Sequence, residues 1–570
     1  MLDFVTLKKL AKKEQVCTST LVILGDCSTQ HLSTAIKGYG INCELGLQVV
    51  DTDYNQISAQ ILDDNSELYK SNPDYVLIYM CAEKLYDKWL EEGAKTKFAD
   101  TVLSEIKFFW HSMSSKTKAR ILQFNFVEIN DQVFGNFGSK LQSSFSYQIR
   151  ELNYKLEQAA KDAKNVFLVD LSSIQNELGR SVFFDPKFYY LAKIPVSLNA
   201  LPVVAKNIID VIKAIKGQIK KCVICDLDNT LWGGVIGDDG INGIQIGELG
   251  IGHAFEDLQK WLKALKDRGI ILGICSKNNE DIAKEPFEKH PDMVLRMDDI
   301  SIFVANWNDK ATNIRYIQKT LNIGMDSIVF LDDNPFERNL VKEVIPEITV
   351  PDLPEDPSEY LPYLRNLNIF ETASYSETDK QRTSQYKAEV NRIELEKMFE
   401  NYDDYLQDLN MVARESAFDD FQTPRIAQLT QRSNQFNLRT VRLTEEDVKR
   451  IREDKAYITS YFTLKDKFGD HGLISLAYMK KVDGQTLFIE NWLMSCRVLK
   501  RGMEEYVINY LVSIAKELGY KVIVGEYIKT KKNAMVENIY EKLGFQNKGN
   551  GKFEVFVDDF IPHNTFIKGE

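Results

Sequence analysis

The sequence predicts an α/β protein of three domains, and three observations support this prediction. The chain has 570 residues, which is too many for a single hydrophobic core. Two successive series of short apolar runs, separated by stretches of helical length, are typical of parallel sheets with crossover helices. A third series follows a proline-spaced acidic segment and is typical of antiparallel strands. We therefore expect domains at residues 1–215, 216–370 and 371–570, the last with a helical lead-in.

Four apolar runs predict buried parallel strands in the first domain. They are TLVILGD (20–26), DYVLIYM (74–80), RILQFNF (120–126) and NVFLVDL (165–171). The spacers between them are long enough for crossover helices, so we expect an α/β sandwich.

The second domain is predicted from three runs of the same kind, which indicate another parallel sheet. They are CVICD (222–226), GIILGIC (269–275) and SIVFLD (327–332). The segment PDLPEDPSE (351–359) then marks a linker or domain edge.

The third domain combines antiparallel-looking strands with two later helices, which predicts a mixed α+β sheet. The clearest strands are AYITSYFT (456–463), GLISLAYMK (472–480) and TLFIENWLM (486–494), and KVIVG (521–525) follows the first of the two helices. Helices are expected at about 503–518 and 533–543.

Composition and charge exclude several classes of protein. The net charge of −12 disfavours general affinity for nucleic acid. The first 15 residues contain no apolar signal core, and no apolar run is long enough to span a bilayer. We expect a cytoplasmic protein. Cys222 and Cys225 form a CxxC inside an apolar run, which favours two buried thiols over a zinc or redox site.

The segment CDLDNT (225–230) is the strongest chemical signal. Asp226 and Asp228 follow a predicted strand, and therefore lie at the carboxyl edge of a parallel sheet, where such sheets bind ligands. One carboxylate there can attack phosphorus and form an aspartyl-phosphate, while the other protonates the leaving oxygen and later activates water. Like charges this close need a cation, and Mg²⁺ suits them because it prefers oxygen ligands and bridges to phosphate.

The next strands end in residues that complete a phosphate site. Ser276 and Lys310 are expected to bind phosphate oxygens, and Asp332 and Asp333 to join Asp226 and Asp228 as metal ligands. A capped turn would explain D-x-D-x-T alone, but not four motifs in this order.

This order resembles the haloacid dehalogenase-like (HAD) phosphatase superfamily, and longer segments resemble its FkbH-like HAD-IIIC family. The segments are 225–247, LDDNPFER (331–338), PRIAQLTQRSNQFNLRT (424–440), FGDHGLI (468–474) and MSCRVLKRGMEEYV (494–507). The resemblance spans about residues 186–545 and, more loosely, the N-terminal part. The short gap between the first two motifs leaves room only for a minimal cap.

The family resemblance implies both an activity and residue roles. Such proteins load a glyceryl unit from 1,3-bisphosphoglycerate onto the phosphopantetheine thiol of an acyl carrier protein, and they remove phosphate. Asp226 is then the nucleophile and Asp228 the acid/base. The implied phosphate-binding residues are Thr230, Ser276, Lys277 and Lys310.

The third domain resembles the GNAT acetyltransferase fold. In that fold a glycine-rich loop between strand and helix cradles a pyrophosphate at the helix N-terminus. Here the loop runs from Arg497 to Gly502 with Lys500 in place of a glycine, so binding of coenzyme A in the usual way is in doubt. Tyr540 lies where a general acid toward a leaving thiolate often sits. We expect carrier or pantetheine contacts from Arg497, Lys500, Arg501 and Gly502.

Cys496 precedes this loop and is a candidate carrier of the acyl group, because nearby cations and a helix N-terminus favour a thiolate. A small residue packed at a strand end is an equal alternative. His471 is either its base or, preferably, a structural polar contact. Because a carrier protein is acidic, the loop and KTKK (529–532) are expected to form a local basic surface; a solvated face is the alternative.

The segment LVILGDCSTQHL (21–32) resembles the first block of SGNH hydrolases, with Cys27 and Ser28 at the nucleophile position. Near the end of the domain Asp185 is followed by Tyr189 and Tyr190 where a histidine would be expected. We therefore predict a non-catalytic docking or scaffold domain.

Two functions remain open at this point. The first is a loader of acyl carrier protein that uses a phosphorylated glycerate-like donor. The alternative is a Mg²⁺-dependent phosphatase of a small metabolite without acyl transfer. Polyketide assembly and surface-polysaccharide modification are both compatible pathways.

Overall fold

The computed structural model describes residues 2–375, 382–396, 398–530 and 532–570, without the side chains at 390, 391, 393 and 394. The chain divides into two compact units, Met1–Ala214 and Ile215–Glu570. The predicted boundary at residue 371 lies within the second unit and stays a prediction.

The first unit contains a five-stranded sheet in which every pair is parallel, with the order β2-β1-β3-β4-β5. Its strands are β1 (Ser19–Gly25), β2 (Leu47–Asp51), β3 (Tyr75–Tyr79), β4 (Arg120–Phe124) and β5 (Val166–Val169). The helices are α1 (Phe4–Leu10), α2 (Gln30–Asn42), α3 (Ile57–Leu62), α4 (Glu67–Lys70), α5 (Ala82–Glu91), α6 (Phe98–Lys116), α7 (Phe145–Asp162), α8 (Leu171–Leu178), α9 (Arg180–Phe183), α10 (Pro186–Ala192) and α11 (Leu201–Ile215). The predicted α/β architecture is confirmed.

The second unit begins with a four-stranded parallel sheet of order β8-β7-β6-β9. Its strands are β6 (Cys222–Cys225), β7 (Ile271–Ser276), β8 (Ile302–Ala305) and β9 (Ile328–Leu331). The helices are α12 (Ile236–Asp239), α13 (Gly252–Asp267), α14 (Glu280–Lys289), α15 (Lys310–Leu321), α16 (Pro335–Val344) and α17 (Tyr360–Asn366). Cys222 and Cys225 are buried free thiols in the central strand, as predicted.

A short flap follows β6. Before α13 begins, it contains a parallel bridge between Asp228 and Trp232, an antiparallel bridge between Gly233 and Gln245, and the four-residue helix α12. The structure therefore has the minimal cap that the short motif spacing predicts.

A mixed sheet of nine strands forms the rest of the second unit, as predicted for an α+β domain. Its order is β16-β17-β15-β14-β13-β12-β10-β18, with β11 beside β14. The strands are β10 (Val412–Ser416), β11 (Phe436–Asn437), β12 (Tyr457–Asp466), β13 (Gly469–Lys481), β14 (Thr486–Met494), β15 (Val522–Glu526), β16 (Gln546–Gly549), β17 (Lys552–Phe556) and β18 (Lys568–Gly569). The helices are α18 (Arg382–Glu396), α19 (Tyr402–Asp408), α20 (Thr423–Arg432), α21 (Glu445–Glu453), α22 (Met503–Glu517) and α23 (Ile539–Lys542).

Strands β14 and β15 are parallel and are connected through α22, which places the Cys496 loop between a strand end and a helix start. Across the described residues, none of the helices is both long enough and apolar enough to cross a bilayer.

Candidate active site

Three carboxylates meet at the carboxyl edge of the four-stranded sheet. Strands β6 and β9 pair in register up to Cys225 and Leu331, so Asp226 and Asp332 leave neighbouring strands side by side. Oxygen atoms of Asp226, Asp332 and Asp333 all lie within 4.8 Å of one another. We call these three aspartates, with Lys310, the acidic edge.

Lys310 is the counter-charge of the acidic edge. It is the first residue of α15 and is buried, with Nζ 2.7 Å from Asp226 Oδ2 and 2.5 Å from Asp332 Oδ2. Burial acts to lower its pKa, but the two carboxylates outweigh burial and hold the pKa above its usual value. The lysine is therefore charged and aligned with the predicted nucleophile.

The acidic edge fits a divalent cation. Three carboxylates face one ammonium group, which leaves a negative excess, and Asp226 Oδ1 is buried without a hydrogen-bond partner among the described residues. Burial, followed by the charge of Asp226, raises the pKa of Asp332 to about 6 and also raises that of Asp333. A hard cation such as Mg²⁺, which takes oxygen ligands, would relieve this repulsion.

The side chain of Asp228 is held by the flap and does not join the metal-binding group. Its Oδ1 accepts hydrogen bonds from Trp232 Nε1 at 3.0 Å and from the Ile236 N–H at 2.9 Å, and its Oδ2 accepts from Asn278 Nδ2 at 2.8 Å. The prediction that its carboxylate is a metal ligand is therefore corrected. Its position beside Asp226 remains suitable for an acid/base.

Of the other predicted phosphate-binding residues, Ser276 alone has no charged partner within the described part of the chain. It ends β7 and its Oγ accepts from Asn278 Nδ2 at 3.2 Å. Thr230 instead exchanges hydrogen bonds with Asp333, at 3.2 Å to Oδ1 and 3.0 Å from the N–H. Lys277 forms an ion pair with Glu337 at 2.5 Å. Thr230 and Lys277 therefore contact carboxylates, and their role in phosphate binding stays a prediction.

The loop after β9 is tied down by an arginine that the sequence analysis missed. Arg338 is buried, and its Nη1 donates to the carbonyl oxygens of Asp332 at 2.9 Å and Asp333 at 2.6 Å. The LDDNPFER segment contains this arginine, but only the folded turn brings it back onto the aspartates.

Cys496 lies at a second site, at the amino edge of the same four-stranded sheet. It is half-buried and lines a cavity of about 240 Å³ that also contains Lys221, the residue before β6. Because Asp226 follows β6, five residues of extended chain separate the two sites, or roughly 16 Å. We call this site the basic cavity, after the six cationic residues in its wall: Lys221, Arg382, Arg425, Arg432, Arg497 and Lys532.

Most of the predicted carrier-binding loop does not face the basic cavity. Arg497 lines it, but Arg501 is buried in ion pairs with Glu389 and, at 3.8 Å, with Asp466. Lys500 is exposed with a left-handed backbone at φ 65°. The predicted role of Arg501 is therefore wrong, because the fold uses its charge internally.

A carboxyl side chain already occupies the helix N-terminus that would cradle a pyrophosphate. Glu504, in the first turn of α22, accepts a hydrogen bond from the Lys500 N–H at 3.3 Å. Burial raises the pKa of Glu504, while backbone N–H groups of the same turn oppose that rise. Gly502 caps the helix at φ 81°, and a Cβ there would lie 3.1 Å from Thr565 Oγ1. This arrangement disfavours coenzyme A in the usual pyrophosphate position.

Tyr540 is a core residue and does not line the basic cavity. It is buried, and its ring centroid lies 5.0 Å from that of Phe545 and 5.3 Å from that of Phe553. Burial raises the pKa of its phenol far above the usual value. This placement disfavours the general-acid role, which stays a prediction.

His471 makes a structural polar contact, the alternative that the sequence favours over a base for Cys496. Its ring Nε2 lies 2.8 Å from Asp466 Oδ2, and Arg392 binds the same carboxylate through two hydrogen bonds at 2.7 and 2.8 Å. These three residues form a buried polar network inside the domain.

The predicted basic surface is largely internal or paired. Lys529 pairs with Glu537, and Lys532 pairs with Asp326. Lys531 lies outside the described residues.

In the first unit, the predicted nucleophile position is buried. Asp26 Oδ1 accepts a hydrogen bond from the Cys81 N–H at 2.9 Å, and Cys27 is 1% exposed. Burial raises the pKa of the Cys27 thiol well above its usual value, and the Ser28 N–H donates to the Lys193 carbonyl at 2.9 Å. This environment disfavours Cys27 as an active thiolate.

Asp185 caps α10, accepting from the Lys187 N–H at 2.9 Å, while Tyr189 is buried and Tyr190 is exposed. No general base is supplied by these three residues. The non-catalytic role of the domain stays a prediction.

Comparison with known proteins gives matches for both units. A family model described as FkbH, N-terminal domain, matches residues 20–213. The crystal structure of the N-terminal part of the protein BF1531 from Bacteroides fragilis, which contains a phosphatase domain and is complexed with Mg, is 47% identical to this chain. That match covers 66% of this chain and 100% of the other, with a TM-score of 0.64.

Weaker likenesses involve acetyltransferases. The ribosomal-protein-S18-alanine N-acetyltransferase from Escherichia coli is 14% identical, covering 26% of this chain and 94% of its own, with a TM-score of 0.21. The spermidine N-acetyltransferase from Vibrio cholerae is 13% identical, covering 26% and 96%, with a TM-score of 0.20. TM-scores this low support no conclusion about activity. Among curated proteins, none matches this chain.

Proposed function

The chain belongs to the FkbH-like family of HAD proteins, and from this premise we propose that it is a Mg²⁺-dependent enzyme that loads an acyl carrier protein. It removes phosphate from a phosphorylated glycerate-like donor and transfers the glyceryl, or a similar small hydroxyacyl unit, to the carrier thiol. The observation that carries the proposal is the acidic edge, where the unpartnered Asp226 Oδ1 lies beside a charged Lys310.

The phosphoryl step uses Asp226 as the nucleophile. Its carboxylate attacks phosphorus, the bond from phosphorus to the ester oxygen breaks, and Asp228 gives its proton to that oxygen. Water then attacks the aspartyl-phosphate while Asp228 takes a proton from it, which releases inorganic phosphate and restores Asp226. The three hydrogen bonds to Asp228 fix its orientation for both transfers.

Asp226, Asp332 and Asp333 would hold the Mg²⁺, which also occurs in the related Bacteroides fragilis structure. When bound, the cation would neutralise the carboxylates and polarise the phosphate oxygens. Lys310 orients Asp226, and Thr230 orients Asp333 through two hydrogen bonds.

Cys496 is the proposed carrier of the acyl group. Its thiolate attacks the acyl carbon of an acyl phosphate, the bond from carbon to the phosphate oxygen breaks, and phosphate leaves with the electron pair. The carrier thiol, after losing its proton, then attacks the thioester and displaces Cys496. Support comes from the half-buried position of Cys496 among cations in the basic cavity.

Carrier-bound pantetheine is a better acceptor than coenzyme A because Glu504 occupies the helix N-terminus that would bind a pyrophosphate. The family resemblance favours 1,3-bisphosphoglycerate as the donor, since it supplies both an acyl phosphate and a phosphate ester.

The test is incubation with Mg²⁺, 1,3-bisphosphoglycerate and holo acyl carrier protein, followed by intact mass spectrometry of the carrier. We expect a glyceryl mass increase, which the Asp226→Asn variant should lose. Asp281→Asn, an exposed aspartate on α14, is the matched control and should load normally.

Other outcomes separate the alternatives. Phosphate release without carrier modification would establish a phosphatase and refute loading. Release of phosphate from a phosphate monoester that persists in Asp226→Asn would remove the acidic edge from the mechanism.

A further inference from the structure

The basic cavity has a strong excess of positive charge. Six cationic side chains line it, and Asp326 is the only carboxylate among its described lining residues. That carboxylate is already paired with Lys532. The cavity therefore repels cations and favours an anion.

Two of the cations have neutral partners. Lys221 Nζ donates to the Arg432 carbonyl at 2.9 Å. Arg497 donates to the side-chain oxygen of Gln385 and, at 3.3 Å, to Ser495 Oγ. Burial lowers the pKa of Lys221 to about 8, and the nearby Arg382 contributes in the same direction. These contacts orient the two positive charges without cancelling them.

An unsatisfied polar atom in the same wall also points to a missing partner. Gln435 lines the cavity, and its buried side-chain oxygen has no hydrogen-bond partner among the described residues. Buried polar groups of native proteins are almost always satisfied. Because this oxygen accepts, a hydroxyl or amide N–H of a bound ligand would satisfy it, whereas a phosphate oxygen would not.

Cys496 lines the same space, and its backbone is fixed in place. The Cys496 carbonyl accepts a hydrogen bond from Asn322 Nδ2, at the end of α15, at 2.5 Å. This contact ties the Cys496 loop to the four-stranded sheet domain on the side opposite the acidic edge. A ligand in the basic cavity is therefore not the one held by Asp226.

We infer that the basic cavity is a second phosphate-binding site, which holds the phosphate of an organic phosphate ester so that the ester's acyl or thiol end reaches Cys496. The chemistry is that of a phosphorylated hydroxyacyl donor or of a phosphopantetheine arm. Charge-assisted hydrogen bonds from the lysines and arginines provide the binding. The inference rests on the proposed function only for the role of Cys496.

The test measures how fast iodoacetamide alkylates Cys496 in the full chain, by mass spectrometry of its peptide. The probes are 3-phosphoglycerate and S-methylated phosphopantetheine, each beside its phosphate-free match, glycerate or S-methylated pantetheine. We expect at least one phosphorylated probe to slow alkylation while its phosphate-free match does not. Protection by the first identifies the donor as occupant, and protection by the second identifies the carrier arm.

Two variants test the cationic residues that line the basic cavity. Lys221→Gln and Lys532→Gln should each raise the probe concentration for half-maximal protection by about tenfold, the value of one charge-assisted hydrogen bond. Lys529→Gln is the matched control, because Lys529 is exposed and lies outside the cavity. The inference would be overturned if protection did not depend on the phosphate group. It would also be overturned if both wall variants were protected at the same probe concentration as the wild type.

The same assay separates this inference from the proposed function. Asp226→Asn should leave the protection of Cys496 unchanged. Protection without any carrier loading would refute loading and support the phosphate site; loading without protection would do the reverse.

Discussion

The two edges of the four-stranded sheet have opposite electrostatics. At the carboxyl edge, three aspartates surround one lysine. At the amino edge, six cationic residues surround one aspartate and a thiol. Both compositions suit phosphate chemistry, but in different ways.

The two edges differ in whether an added cation helps an anionic phosphate to approach. A carboxylate nucleophile approaches an anionic phosphate more readily when a cation neutralises the site, so the excess of carboxylates at the acidic edge suits a metal ion. A thiol among fixed cations requires no metal, since the protein already provides the positive charge. We therefore expect the two edges to respond oppositely to charge-changing variants.

The largest effects should come from the two nucleophiles, and Cys496→Ser should separate loading from hydrolysis. Asp226→Asn removes the attacking oxygen and should reduce phosphate release from a phosphate monoester by about 10⁴-fold or more. Cys496→Ser should abolish carrier loading and leave that hydrolysis within about twofold. Colorimetric phosphate release and intact carrier mass measure the two activities.

If Cys496→Ser lost both activities while remaining folded by circular dichroism, the separation of the two edges would be wrong. Asp226→Asn is not expected to unfold the protein, because it removes one of three repelling carboxylates.

The second effect concerns stability. Lys310→Met leaves Asp226 and Asp332 buried without their counter-ion and should cost about 3–5 kcal/mol. Lys221→Gln removes a cation from a group of cations and should leave the thermal midpoint equal or higher. Thermal denaturation in EDTA measures both changes.

Adding Mg²⁺ tests the role of the Lys310 charge further. Added Mg²⁺ should raise the midpoint of Lys310→Met more than that of the wild type, because the cation replaces the lost charge. Lys289→Met, which breaks an exposed pair with Glu285, is the control and should change stability by less than about 1 kcal/mol. An equal midpoint for Lys310→Met and this control would contradict the role of Lys310.

A third, smaller effect is the pH dependence of each edge. The folded pKa of Asp332 is raised to about 6, so the native state binds more protons than the unfolded chain between about pH 4 and 6. Its contribution to stability should therefore fall as pH rises through that window. Lys221 has a folded pKa lowered to about 8, so stability should rise with pH from about 8 to 10.

The measurement compares thermal midpoints with and without each group in EDTA. Between pH 4 and pH 7, the thermal midpoint of Asp332→Asn should rise relative to that of the wild type. Each kcal/mol of stability that the wild type loses over this range corresponds to roughly 2–4 °C. The difference by which the thermal midpoint of Lys221→Gln exceeds that of the wild type should decrease between pH 8 and pH 10. Parallel curves for variant and wild type would show that these groups do not titrate as described.

The sequence was informative about the acidic edge because strand ends follow directly from local apolar runs. Asp226, Ser276 and Asp332 each end or follow such a run, and parallel strands bring these positions together. In the two parallel sheets, the strands that were not predicted, β2 and β8, are edge strands. The burial of β2 is incomplete, so its sequence lacks a continuous apolar signal.

The basic cavity was not predictable in the same way. Its cations come from segments between residues 221 and 532, and no local pattern connects them. Arg501 was misassigned for a related reason: it pairs with Glu389, which is 112 residues away. Motif spacing gives the position of a side chain along the chain, but the packing decides whether it faces a cavity or the core.

The smallest predicted effect is that of Tyr540→Phe. Its hydroxyl lies in an aromatic core outside the basic cavity, so its loss should change carrier loading by less than about twofold and stability by about 1 kcal/mol. Tyr386→Phe is the matched comparison, because Tyr386 is also buried but lines the cavity beside Cys496. We expect a change in the alkylation rate of Cys496 only for Tyr386→Phe. A tenfold loss of loading in Tyr540→Phe would restore its role as an acid and extend the acyl chemistry beyond the cavity.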